Sequence, residues 1–248
     1  MFVIAHRGAN QFAPQNTIHA FNKAVELRSD GVETDIQITK DGQLVLCHDK
    51  KVNRTSNGKG KISALLLSDI RELDFGSWFG KKYSDTKIPT IDEFLDCASG
   101  SPLKLLDIEL KPQKKNEADA VTPLLEKINE YGIADKTLIS SFDYKLLERV
   151  KEINPDITTG YLYPSMSQIV RRKFIKPYKL AIKHHIDCLL PHYGYVTKKM
   201  IDKSHELGLK VGVWTVNKLE TAADLIEWGA DGLITDVPDI MLNKIENY

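Results

Sequence analysis

Gly31-Val-Glu-Thr-Asp-Ile-Gln-Ile-Thr39, Lys40-Asp-Gly42 and Leu44-Val-Leu-Cys-His48 follow one another near the N-terminus. The outer two runs are strand-like, and the middle one is hairpin-turn chemistry. A parallel crossover needs a dozen or more residues, so the second run must return antiparallel to the first. Side chains two apart on a strand share a face, which sends Glu33 and Asp35 the same way. Folding back across the turn sets His48 roughly opposite them. Two carboxylates and an imidazole at one strand end suggest a hard-metal site with an acid or base beside it.

Working outward, further strand-like runs lie at Phe2–His6, Lys104–Leu110, Thr137–Ser141 and Thr158–Leu162, then at Asp187–Leu190, Lys210–Val216 and Gly232–Thr235. Between most of them the apolar residues recur at helical spacing, as Ile18, Phe21 and Val25 do within Thr17–Arg28. Asp92–Cys97, Glu117–Tyr131, Asp143–Ile153, Thr197–Leu207 and Leu219–Trp228 read the same way. Alternating strands and helices imply a parallel sheet with helices outside. Nine strands are one too many for an eight-stranded barrel, and the returning hairpin strand is the surplus. Removing it leaves a (β/α)8 TIM-type barrel with a β-hairpin and an inserted segment after its second strand. The rival is an open doubly wound sheet, but no Gly-x-Gly-x-x-Gly follows any strand.

The chain of 248 residues is 42% apolar, which suits one barrel domain over 1–248. Its formal net charge is zero and no basic stripe with interleaved aromatics occurs, which argues against nucleic acid. Cys47, Cys97 and Cys188 lack metal-ligand spacing, and an odd number does not make a full disulfide framework. With no leader-like start and no membrane-length apolar run, the expectation is a cytoplasmic protein without integral membrane association. The longest interruption, about 49–101, carries Gly76-Ser-Trp-Phe-Gly-Lys-Lys-Tyr83 and reads as a cap on the barrel mouth. Trp78, Phe79 and Tyr83 either pack it down or line a cleft, and burial is the commoner use of aromatics. Gly58-Lys-Gly60 lacks the spacing of a phosphate loop.

In a parallel barrel the C-terminal strand ends share one face, where the site belongs. They bring together His6-Arg7, Glu33, Asp35, Glu109, Lys111, Ser141-Phe142, Trp214 and Asp236. Three carboxylates from two strands can hold one Mg2+ or Ca2+, and the absence of His or Cys ligands disfavours zinc. Arg7 and Lys111 could hold a phosphoryl group. Taken singly, each piece has a plain structural use: a Glu-x-Asp pair can be a solvated face, and His6 a structural cap. Asp107, in register with Glu109, could be a further ligand, but a bond to a loop backbone is the expectation, and His184, His185 and His205 are expected to lie on the surface. His192 follows a strand end and could reach the mouth. It is the convergence of two histidines, three carboxylates, Arg and Lys on one rim that points to catalysis.

Beyond this rim, an ordered set of motifs runs along the chain: His6-Arg-Gly8, Ala13-Pro-Gln-Asn-Thr17, Glu33-Thr-Asp35, Thr39-Lys-Asp-Gly42, His48-Asp49, Ile88-Pro-Thr90, Ile108-Glu-Leu-Lys111, Trp214-Thr-Val-Asn217 and Asp231-Gly-Leu-Ile-Thr-Asp236. In this it resembles the glycerophosphodiester phosphodiesterase family over essentially its whole length. The resemblance implies the barrel fold, metal ligands Glu33, Asp35 and Glu109, and an acid/base pair His6 and His48. It also implies Arg7 and Lys111 on phosphate and Trp214 against glycerol. The activity implied is metal-dependent hydrolysis of a glycerophosphodiester to sn-glycerol 3-phosphate and an alcohol such as choline or ethanolamine. Head-group release from lysophospholipids and a non-catalytic phosphodiester-binding barrel are the alternatives. One position departs from the family pattern: Gln15 stands where a Glu is usual, and the loss of charge should leave Arg7 less tightly held.

Overall fold

The computed structural model describes residues 1–112, 119–163 and 177–246. Its strands are β1 (Phe2–Ala5), β2 (Gly31–Ile38), β3 (Leu44–Leu46), β4 (Leu105–Leu110) and β5 (Thr137–Ser141), followed by β6 (Thr158–Tyr163), β7 (Cys188–Pro191), β8 (Lys210–Val213) and β9 (Gly232–Thr235). Eight pair in parallel as a closed ring, β1-β2-β4-β5-β6-β7-β8-β9, and β9 returns to β1 with Phe2 beside Gly232 and Ala5 beside Thr235. β3 stands outside the ring, antiparallel to β2, with Ile36 opposite Leu46 and Ile38 opposite Leu44. The barrel with one extra hairpin strand is therefore the fold that the sequence predicts.

Around the ring lie α1 (Ile18–Glu26), α2 (Leu67–Arg71), α3 (Ile91–Ser99), α4 (Val121–Glu130) and α5 (Tyr144–Ile153), then α6 (Pro177–Lys183), α7 (Lys198–Glu206), α8 (Leu219–Glu227) and α9 (Pro238–Glu246). Side-chain caps set several of their starts. Thr17 accepts from the Ala20 amide, and Thr90 forms a reciprocal box with Glu93; such caps contribute about 1 kcal/mol each. Phe21 of α1 meets Phe94 of α3 edge to face, centroids 4.7 Å apart. Helix α4 begins at Val121; the Glu117 start expected for it lies outside the described residues. Helices α2, α6 and α9 escape the periodicity reading, α2 being a single turn of five residues. Both α6 and α9 are short and open on a proline, which is suited to a first helical turn. Among the described residues no helix is long and apolar enough to cross a membrane.

Strand register positions the site. β2 and β4 pair with Glu33 beside Asp107 and Asp35 beside Glu109, so four carboxylates stack on two adjacent strands. Gly31 starts β2 where the strands approach most closely: a Cβ there would lie 2.5 Å from the Leu105 carbonyl oxygen. At the hairpin, Gly42 takes φ +79°, and its amide donates to the Thr39 carbonyl at 3.1 Å. β1 stops at Ala5 because Arg7 turns left-handed (φ 57°), although the His6 amide still bonds the Thr235 carbonyl. β8 likewise ends at Val213, short of the expected Val216, and Trp214 turns its amide to Pro191 of β7.

The stretch between β3 and α3 has its own small apolar cluster, including Val45, Val52, Ile62, Ile70 and Phe75. Of the three aromatics, Phe79 and Tyr83 are half-buried, whereas Trp78 stays 42% exposed. Their rings meet edge to face, Trp78 Nε1 donates to the Phe75 carbonyl, and Tyr83 Oη donates to the Phe12 carbonyl at 2.6 Å. None of the three lines the central cavity.

Candidate active site

A cavity of about 700 Å³ opens at the C-terminal end of the ring, with His6, Arg7, Glu33, His48 and Glu109 along one side and Phe142, His192 and Trp214 along the other. The strand ends thus collect most of the rim residues marked by the sequence, as the barrel topology requires.

Oxygens of Glu33, Asp35 and Glu109 lie within 4.8 Å of one another, and all three residues are buried. Burial, then repulsion from Asp35, pushes Glu33 well above the usual carboxylate range. Burial also raises Glu109, partly opposed by Lys111. Asp35 goes the other way: burial is outweighed by Lys111 and Arg7, which hold it ionised. Among the described residues, Lys111 and Arg7 are the main cations facing these three crowded carboxylates, so the cluster has room for more positive charge. An all-oxygen donor set of this kind fits a hard divalent cation.

Lys111 Nζ sits 2.5 Å from Asp35 Oδ1 and 2.7 Å from Glu109 Oε1. Burial opposes its charge, but these carboxylates keep it protonated. The ammonium thus bridges two members of the acidic cluster, and Lys111 also lines a smaller neighbouring recess. Asn16 completes the shell. Its Nδ2 donates to Asp35 Oδ2 at 2.8 Å while its Oδ1 accepts from Thr34. Buried and left-handed (φ 55°), Asn16 is a site residue that the sequence reading did not single out.

Each rim histidine is held through Nδ1. His6 Nδ1 meets Asp236 Oδ1 at 2.7 Å, and its Nε2 lies 4.0 Å from Glu33 Oε2. Asp236 also accepts from Asn10 and Asn217. Burial would raise its carboxyl, yet the hydrogen bonds from His6, Asn10 and Asn217 hold it well below the ordinary range. His48 Nδ1 meets Asp49 Oδ1 at 2.7 Å, and Asp49 is itself gripped by Arg54 at 2.7 and 3.1 Å. The Arg54 hydrogen bond leads in holding Asp49 down at about 2. Burial lowers His48 overall, although Asp35 and Asp49 pull it up. Asp236, already expected on the rim, and Asp49 are thus the partners of the two histidines. Asp49 was legible as the neighbour of His48, whereas Asp236 meets His6 only through ring closure.

Arg7 donates its backbone amide to Glu33 Oε2 at 2.9 Å and its Nη1 to Gln15 Oε1 at 2.7 Å. Gln15 Oε1 also accepts from Arg54 Nη2 at 3.3 Å. One neutral carbonyl oxygen thus tethers both guanidiniums. Asp107 differs from expectation in its partner. One oxygen accepts from Ser140 Oγ at 2.6 Å, not from a loop backbone, and burial raises the carboxyl to about 7.

On the opposite wall, Trp214 donates Nε1 to the Leu190 carbonyl at 2.7 Å and packs edge-on against Phe142, with centroids 5.6 Å apart. His192 reaches the same wall, 5.2 Å from the Trp214 ring. His185 and His205 lie outside this cavity and are exposed or nearly so. His184 departs from the expected surface position. Its side chain is only 12% exposed, stacked on Tyr144 and paired with Glu148 at 3.0 Å.

Known proteins share this arrangement of sequence and fold. The profile of the glycerophosphoryl diester phosphodiesterase family matches residues 6–240. A glycerophosphodiester phosphodiesterase from Caldanaerobacter subterraneus subsp. tengcongensis is 35% identical over 243 residues, 98% of this chain and 97% of that protein. Among solved structures, an Oleispira antarctica phosphodiesterase in complex with the product sn-glycerol-3-phosphate is similar at TM-score 0.89 and 29% identity, covering 99% of this chain and 97% of that one. A glycerophosphodiester phosphodiesterase from Thermotoga maritima shares the fold at TM-score 0.78, 24% identical over 98% and 97% of the two chains. The chain belongs to the glycerophosphoryl diester phosphodiesterase family, and it is a phosphodiester hydrolase built on a (β/α)8 barrel.

Proposed function

We propose that this enzyme hydrolyses glycerophosphodiesters such as glycerophosphocholine and glycerophosphoethanolamine to sn-glycerol 3-phosphate and the free alcohol. The observation that carries the mechanism is the pair of imidazoles with Nδ1 fixed by Asp236 and Asp49. Both line one cavity with the carboxylate cluster. A carboxylate on Nδ1 draws the ring proton to that nitrogen, so Nε2 of the neutral ring carries the lone pair. Each ring is then ready to take a proton at Nε2 or, once charged, to give one back.

In this reading His6 Nε2 takes the proton from the attacking hydroxyl, and Asp236 stabilises the imidazolium that results. His48, protonated and steadied by Asp49, gives its Nε2 proton to the departing alkoxide. Arg7 faces the cavity and binds the phosphoryl oxygens, with its orientation set by Gln15. Glu33, Asp35 and Glu109 would hold one Mg2+ or Ca2+, with Lys111 and Asn16 keeping Asp35 in place. Bound there, such an ion supplies Lewis-acid neutralisation of the charge that develops on phosphorus. Trp214 offers an apolar face to the glycerol carbons.

The test is release of glycerol 3-phosphate from both diesters by purified protein, first in EDTA and then with Mg2+, Ca2+ or Mn2+ restored. Turnover restored by metal and lost in His48→Ala supports the proposal. No release with any metal, or undiminished release in both His6→Ala and His48→Ala, overturns it. Faster turnover of lysophospholipids would move the substrate class.

A further inference from the structure

Around the eight-membered ring, β7 lies four strands from β2 in either direction, diametrically across the mouth. β2 carries Glu33 and Asp35, and the residue that leaves the end of β7 is His192. The backbone there is pinned on both sides. The His192 amide donates to the Tyr163 carbonyl at 3.3 Å, and the Tyr193 amide donates to the Trp214 carbonyl at 2.8 Å. His192 is therefore a fixed feature of the wall that faces the charged cluster.

Its protonation pattern is also fixed. The Gly194 backbone amide donates to His192 Nδ1 at 3.2 Å, which makes that nitrogen the acceptor and leaves the proton on Nε2. Burial further disfavours the charged ring. Tyr193 stacks on the imidazole at 4.4 Å, and Trp214 meets it edge-on. Unlike His6 and His48, His192 has no carboxylate among its described partners. No described residue accepts a hydrogen bond from its Nε2.

We propose that His192 is a specificity residue whose neutral Nε2–H donates to a hydroxyl oxygen of the glycerol moiety lying against Trp214. A single uncharged donor set among aromatic rings matches an oxygen on a carbon skeleton. The assignment rests on the glycerophosphodiester reading above for the identity of that oxygen. It makes the far wall of the cavity a reader of polyols, and it gives His192 no share in proton transfer. A site built to hydrogen-bond a hydroxyl rejects the analogue that lacks one.

The test compares binding of sn-glycerol 3-phosphate and n-propyl phosphate to the Mg2+-loaded protein by calorimetry, which needs no turnover. Two variants separate the donor from the cap. His192→Asn keeps a short acceptor for the Gly194 amide but cannot reach across the cavity, whereas His192→Gln reaches with an N–H donor. Wild type should prefer glycerol 3-phosphate, His192→Asn should lose roughly tenfold of that preference, and His192→Gln should recover part of it. In turnover, His192→Asn should raise KM more than it lowers kcat. The proposal is overturned if His192→Asn keeps the wild-type preference, or if wild type binds the two phosphates equally or binds neither. A preference that is lost in His192→Asn, found in a protein that hydrolyses no glycerophosphodiester, would uphold the role of His192 while sinking the hydrolytic reading.

Discussion

His6 and Asp236 meet at 2.7 Å although 230 residues separate them in sequence, because β1 and β9 are neighbours in the closed ring. The contact fixes the imidazole tautomer and leaves Nε2 toward Glu33. Asp236→Asn preserves the shape but presents an amide where the ring needs an acceptor. We expect kcat to fall roughly 10²-fold or more, within the range of general acid–base contributions. Steady-state kinetics checked against an unchanged circular dichroism spectrum decides it, and near-normal kcat would remove His6 from the proton transfer.

Asp49 acts on the other imidazole, and its effect has a sign. A neighbouring carboxylate favours protonated His48, so Asp49→Asn should lower the His48 pKa further than burial already does. A general acid must be protonated to work. Its loss therefore sets the high-pH limb of the rate profile, and that limb should move to lower pH in Asp49→Asn. Movement of the low-pH limb instead would make His48 the base and reverse the two roles.

Gln15 gives a third expectation. Gln15→Glu places a carboxylate between Arg7 and Arg54, strengthening both hydrogen bonds. Arg54 is half-exposed, so the gain should stay near 1 kcal/mol, about 2–4 °C in Tm. The same charge offsets Arg7 where an anionic diester binds, so KM should rise several-fold. Thermal melts and KM measured together check this, and a lower KM would show that Arg7 benefits from a charged tether.

Gly31 tests the frame. Gly31→Ala drives a methyl into the Leu105 carbonyl, a backbone atom that cannot swing aside. We expect a loss of roughly 2–4 kcal/mol, or about 5–15 °C in Tm, with the carboxylates of Glu33 and Asp35 beside it disturbed as well. A melting temperature equal to wild type would mean that β2 and β4 separate more easily than their register implies.

The eight ring strands were legible because each is a short apolar run bounded by turn residues, and the ninth because its link to β2 is too short for a crossover. Glu33, Asp35 and Glu109 could be read from period-two alternation, and their convergence followed from a parallel ring. What the sequence hid were partners set by closure and by turns. Asp236 approaches His6 only when the two ends of the ring meet, and Asn16 reaches Asp35 from a left-handed position. Sequence shows the face on which Lys111 lies but not its nearest partners, Asp35 and Glu109. His192 was placed near the mouth by its strand end, while the hydrogen bond that fixes its tautomer depends on the turn at Gly194.

β3 belongs to no ring, and this divides the enzyme mechanically. His6 is welded into the barrel, whereas His48 rides on an appendage held to it by β2 on one side and by the Pro89 carbonyl on the other. Fraying of that appendage would separate the two imidazoles while every barrel strand stayed paired. With both imidazoles at work as proposed, inactivation on warming should run ahead of melting, governed by the grip of a three-residue strand on its neighbour.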